Sequence, residues 1–180
     1  MKSYKEYPSD KNVFLFELDD ILYPKKDYIL QVYYLFSNFI EFTETTPDSK
    51  SLLAFMQKQY EEYGEDGMFD KIKEQFGLAE QYREKFGRIH VQAHLPLKLL
   101  LFPETTQLLQ DLQDAGKNVA ILTKGNPLEQ LNKLKHIDWQ GLDKGMKVYF
   151  IDELNFRNID PISYIADEFR IQPEEIAIIE

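Results

Sequence analysis

The sequence predicts an α/β fold, a doubly wound parallel sheet interrupted after its first strand by an all-helical insertion. Three observations carry that expectation. Four apolar runs, each too short for a helix and rich in strand formers, occur at Val13-Phe14-Leu15-Phe16, Val119-Ala120-Ile121-Leu122, Val148-Tyr149-Phe150-Ile151 and Ile176-Ala177-Ile178-Ile179. Helix-like segments separate them, as parallel strands joined by crossovers require. Between residues 23 and 96 the pattern changes to helix after helix, far more chain than a simple crossover needs.

The elements follow in order. The first run comes after Asn12 and ends abruptly in acid, at Glu17, Asp19 and Asp20. The insertion contains YILQVYYLFSNFIEF at 28–42 and SKSLLAFMQKQYEEYG at 49–64; its aromatics Tyr28, Tyr33, Tyr34, Phe36, Phe39 and Phe42 are expected mostly in internal packing, since large rings at helical spacing bury area. Pro103-Glu104 opens a helix whose Leu108, Leu109 and Leu112 share a face, and Gly116 closes it. Asn126-Pro127-Leu128-Glu129 reads as N-cap, first-turn proline and a Glu reaching back, with Leu128, Leu131 and Leu134 following at helical spacing. Asp160-Pro161 starts another helix, with Ile162, Ile165, Ala166 and Phe169 toward the core. The domain boundaries are accordingly 1–22 plus 97–180 for the α/β core and 23–96 for the helical module. The chain ends at Glu180, flush with a buried strand and with no crossover helix to cover it, so a truncated C-terminus is expected.

Composition narrows the function classes. At 180 residues the chain suits one domain, or a core with a smaller inserted module. Thirty-one acidic against 21 basic residues give a formal net charge of -10, which repels polyanions and makes nucleic acid a poor candidate partner, so none is expected. The absence of cysteine removes disulfides, thiolate metal sites and a Cys nucleophile. The N-terminal MKSYKEYPSDKN lacks the apolar run of a signal peptide, and no apolar stretch approaches membrane-spanning length, so a cytoplasmic protein with no membrane partner is expected.

In open α/β sheets ligands bind beyond the carboxyl ends of the strands, where Glu17, Asp19 and Thr123 fall. Two carboxylates one residue apart at a strand end can share a hard cation such as Mg²⁺; one could attack phosphorus while the other shuttles a proton. Thr123 brings a hydroxyl, Lys124 a positive charge, and Gly125 backbone N–H groups at the entry to a helix, where an anion would sit. His90 and His94 have the spacing of a helical metal clamp, but no third ligand accompanies them, and a surface or hinge role is the better reading. Glu61-Glu62-Tyr63-Gly64-Glu65-Asp66 lacks the ligand spacing of a Ca²⁺ loop and reads as a solvated turn.

The run Glu17-Leu18-Asp19-Asp20-Ile21-Leu22-Tyr23-Pro24 resembles the first motif of the haloacid dehalogenase superfamily, a strand followed by Asp-x-Asp-x-Thr or Val, and Ile121-Leu122-Thr123-Lys124-Gly125-Asn126 looks like its second. The intervening helices resemble the cap of the nucleotidase-like and phosphoglycolate-phosphatase-like members, so the resemblance spans residues 13–180. It implies a Rossmann-like parallel-sheet core with a helical cap after the first strand, and Mg²⁺-dependent hydrolysis of a small phosphorylated metabolite or nucleotide through an acyl phosphate. By the same resemblance Glu17 is nucleophile and metal ligand. Asp19 is the general acid/base and also meets the metal; Thr123, Lys124 and Gly125 bind phosphate.

This sequence departs from the pattern at several places. Glu17 stands where members carry Asp, Ile21 stands at the Thr or Val position, and Arg157 is the one cation near the third motif, where a Lys is usual. The fourth motif, an acidic pair, would follow Glu180. Arg157 could hold a phosphate, though without the reach and geometry of Lys. A weak phosphatase is therefore one reading, and a catalytically silent module that binds a ligand or a protein is the alternative. A phosphoacceptor receiver domain is excluded by the long helical insertion.

Overall fold

A strand hydrogen-bonded on both sides and covered on both faces must be apolar throughout, and β1 (Val13–Phe16) is buried at all four positions. It lies between β3 (Asn118–Thr123) and β6 (Ile176–Ile179), with β5 (Lys147–Phe150) outside β3, giving the order β5-β3-β1-β6. All three pairings are parallel, and Phe16 is opposite both Ile121 and Ile179. The order places the two crossover directions on either side of β1, the arrangement that opens a crevice at the strands' carboxyl ends. One layer of the core gathers Val13, Leu15, Ala120, Leu122, Tyr149, Leu154, Ile165, Ala166 and Ile176.

The computed structural model describes residues 3–180 and divides by contacts into two units, Met1–Lys25 with Lys98–Glu180, and Lys26–Leu97. In the first unit, α5 (Pro103–Asp114) buries Leu108, Leu109 and Leu112, and Gly116 beyond it has φ +66°, the left-handed geometry that ends helices. Next come α6 (Pro127–His136), α7 (Ile151–Phe156) and α8 (Pro161–Phe169). Asp160 caps α8 through Ser163 N–H at 2.8 Å. Two features had no sequence signal. A small parallel pair joins β2 (Leu99–Leu100) to β4 (Ile137–Asp138), and α7 follows β5 with no intervening loop.

The second unit contains α1 (Lys25–Glu44) beyond its first residue, then α2 (Ser49–Tyr63), α3 (Met68–Phe76) and α4 (Tyr82–Gln92), with no strand among the described residues. Tyr28, Tyr33 and Phe36 are buried, whereas Tyr34 and Phe42 are exposed. Burial raises the Tyr33 hydroxyl well above the usual phenol range. No helix among the described residues is long and apolar enough to cross a membrane.

Leu15 is 0% exposed at the centre of the sheet, and Phe42 is 92% exposed. Leu15→Ala should lower unfolding free energy by about 2–5 kcal/mol. Phe42→Ala should change it by about 0.5 kcal/mol or less. Urea titrations of the two variants check both.

Candidate active site

Glu17 follows β1 directly, its N–H donating to the Ile179 carbonyl at 3.0 Å, so its side chain emerges at the sheet's carboxyl edge. Oε1 of Glu17 accepts from the Leu18 N–H at 2.8 Å and from the Thr123 hydroxyl at 2.5 Å. Thr123 ends β3 and is fully buried. Gln130 on α6 donates Nε2–H to Thr123 Oγ1 at 2.9 Å and to the Lys124 carbonyl at 2.7 Å. A carbonyl only accepts, so the Gln130 group facing it is the NH₂, and Thr123 keeps its own proton for Glu17. The Gln130 Oε1 is buried without a partner.

Asp19 is held at both oxygens: the Tyr23 hydroxyl donates to Oδ1 at 2.8 Å and the Lys133 ammonium to Oδ2 at 2.7 Å. Lys133 also pairs with Glu129 at 2.9 Å. Its side chain is 2% exposed, and it is the one charged residue among the buried ones described. Asp20, at φ 61°, turns the chain and accepts from the Lys25 N–H at 2.8 Å.

Of the leucines that follow Asn126 at helical spacing, Leu128 and Leu131 lie off the buried face of α6 and Leu134 is half-buried. Leu128 and Leu131 are 59% and 38% exposed, while Gln130 and Lys133 face inward. Asn126 does cap the helix, accepting from Leu128 N–H at 2.9 Å, but Glu129 is drawn to the Lys133 ammonium one turn on. Gln130 and Lys133 are site residues that the sequence reading missed. Their i, i+3 spacing, one turn after the Thr123-Lys124-Gly125 turn, was the available signal.

The remaining expected ligands stand apart. The Lys124 side chain is exposed, and its carbonyl serves Gln130. The Gly125 N–H donates to Asp152 Oδ2 at 2.9 Å, so the loop group suited to an anion meets a carboxylate of α7. Gly125 has φ +111°, and a Cβ there would meet Gln130 Nε2 at 3.7 Å, so backbone geometry rather than crowding calls for glycine. Arg157 is exposed at the end of α7 and lines a hollow of about 440 Å³ with Lys147, Tyr149, Tyr164 and Glu168. There Lys147 and Tyr149 hold the Glu168 carboxyl below the usual range. His90 lies on α4 against Tyr33 and Phe86, and His94 falls beyond that helix, so helical spacing does not relate them.

No group of three or more His, Cys, Asp or Glu side chains that could hold a metal occurs among the described residues. Mg²⁺ asks less of a protein, since it keeps several waters and takes one or two carboxylates with substrate phosphate. The Glu17 carboxylate, bonded through Oε1 alone, and the Asp19 backbone carbonyl are hard oxygen donors of that kind. The Asp19 side chain is engaged by the Tyr23 hydroxyl and the Lys133 ammonium, one at each oxygen.

An α/β fold built on a parallel sheet is shared with known proteins. The chain belongs to the haloacid dehalogenase-like hydrolase family, whose model matches residues 14–180. Three solved structures share the fold. A haloacid dehalogenase-like family hydrolase from Xanthomonas campestris is 18% identical, with 94% of this chain and 72% of that chain covered and a TM-score of 0.51. A family hydrolase from Deinococcus radiodurans R1, with bound phosphate and sodium, is 15% identical over 95% of this chain and 72% of its own, at TM-score 0.50. An L-2-haloacid dehalogenase is 15% identical over 93% of this chain and 77% of its own, also at 0.50. No curated protein sequence matches the chain significantly.

The inverted face of α6 gives a direct test. Gln130→Ala strands the Lys124 carbonyl and should cost about 1–3 kcal/mol. Leu128→Ser, at an exposed position, should change stability by about 0.5 kcal/mol or less. Guanidinium denaturation would rank the two in that order.

Proposed function

We propose that the chain is a slow phosphohydrolase acting on a small phosphorylated metabolite or nucleotide, with Glu17 as nucleophile, Asp19 as acid/base, and residues 23–96 serving as a substrate-reading cap. The observation that carries this reading is the Thr123–Glu17 hydrogen bond, which ties the two motif positions of adjacent strand ends together at 2.5 Å.

In the first step a Glu17 carboxylate oxygen attacks phosphorus, the phosphorus–ester oxygen bond breaks, and the departing oxygen takes the electron pair and a proton from Asp19. In the second, Asp19 takes a proton from water as its oxygen attacks the acyl phosphate. The Glu17–phosphorus bond breaks, and inorganic phosphate leaves with Glu17 restored. Glu17 and the Asp19 carbonyl would hold Mg²⁺, which when bound offsets phosphoryl charge. The Thr123 hydroxyl, oriented by Gln130, is the donor nearest the nucleophile and suits a phosphoryl oxygen once Glu17 turns to attack.

A silent binding module is the second reading, and one observation favours it: Glu17, Asp19 and the Gly125 N–H all have partners within the protein. Activity separates the two. A ~1 Å misplacement of a reacting group costs on the order of 10²-fold, and Glu is one methylene longer than the family's Asp. With Mg²⁺, the chain should therefore hydrolyse p-nitrophenyl phosphate slowly, and Glu17→Asp should raise kcat by up to about 10²-fold. Robust turnover abolished by Glu17→Asp would instead make Glu the working nucleophile of a reshaped site. Absence of turnover in both forms would favour the binding module.

A further inference from the structure

Lys133 is out of keeping with its surroundings unless the site uses it. An ammonium group desolvated to 2% exposure is costly, and buried ion pairs contribute little net stability compared with apolar packing of similar volume. The neighbouring turns of the same helix carry Leu128 and Leu131 at exposed positions. Helix α6 thus spends its inward face on two polar groups, Gln130 reaching Thr123 and Lys133 reaching Asp19. The two lie three residues apart, so one helical face addresses the ends of both β1 and β3.

We propose that Lys133 is a positioning residue for the second half-reaction: with Tyr23 it clamps the Asp19 carboxylate in the orientation that accepts water's proton during hydrolysis of the acyl phosphate. The inference rests on the phosphohydrolase reading. Each carboxylate oxygen can accept two hydrogen bonds, so the clamp on Oδ1 and Oδ2 leaves a lone pair on each for water. Glu129 holds the ammonium from its other side, and Tyr23 is fully buried, so the clamp is anchored at both ends. Attack on phosphorus by Glu17 does not require this geometry when the leaving group departs unprotonated. The two half-reactions therefore respond differently to loss of Lys133.

The test is stopped-flow and steady-state hydrolysis of p-nitrophenyl phosphate with Mg²⁺ by the full chain, in the wild-type or Glu17→Asp form, whichever turns over faster, with and without Lys133→Met. p-Nitrophenolate leaves without proton donation, so the first half-reaction should survive. Lys133→Met should lower kcat by about 10²-fold, within the usual worth of a general base, and lower KM in parallel so that kcat/KM stays within about threefold. It should also give a burst of p-nitrophenolate approaching one equivalent per chain. A merely structural role would depress kcat and kcat/KM together with no burst, and that result overturns the proposal, as does an unchanged kcat. If Lys133→Met does not fold, Lys133→Gln, which can still donate to Asp19 without charge, should show the same burst with a smaller loss of kcat, about tenfold. No turnover in any form, Glu17→Asp included, would overturn the phosphohydrolase reading and this inference with it; turnover untouched by Lys133 substitution would overturn the inference alone.

Discussion

Strand register is the constraint on which the site depends. Because Phe16 pairs with Ile121 on one side and Ile179 on the other, the residue after β1 emerges beside the final residue of β3. A slip of one residue would turn every side chain of β1 to the other face, carrying Glu17 away from Thr123 and exchanging the apolar partners of both layers. The register is strongly specified because both faces of β1 are buried: Val13 and Leu15 join one core layer, and Phe14 packs edge-on against Tyr4 and Tyr7. The position of Glu17 is thus set by the burial of residues 13–16.

The same logic explains what was legible in the sequence. Four apolar runs were enough to read the sheet, since a buried parallel strand has no polar face and so leaves an unbroken signature. Helix ends at Asn126 and Asp160 were equally readable, because a side-chain cap is a local interaction between residues two or three apart. Local signals failed where the structure depends on distant groups. The two-residue strands β2 and β4 are too short to show a period, and α7 is a helix of six residues nested against Ile165 and Ala166 through Leu154.

Helix α6 shows most clearly why part of the site was hidden. Its leucines recur at a spacing that ordinarily marks a buried face, and its charges look like a solvated one. The assignment reverses because the groove it covers is lined by Thr123, the Lys124 carbonyl and Asp19, all of which need hydrogen-bond partners. Leaving them unpaired inside the protein would cost more than exposing two leucines, since a buried polar group without a partner is worse than apolar surface in water. Periodicity reports which face is greasy, and the inward face here is set by what lies opposite.

The buried cation follows from the same electrostatics. Around the strand ends Glu17 bonds Thr123, Asp19 and Glu129 share the Lys133 ammonium, and Asp152 accepts from the Gly125 N–H, in a chain whose net charge is already -10. Such a cluster needs positive charge held at short range, because at the separations of exposed residues salt screens most of the attraction. Arg157 is exposed and lines a hollow beside the edge strand β5 together with an acid, Glu168. Lys133 supplies it, because its long apolar stem crosses the helix–sheet interface while its head reaches Asp19 and Glu129 together. A cation delivered by α6, rather than from the end of α7 where Arg157 sits, puts the charge on Asp19 instead of on Glu17.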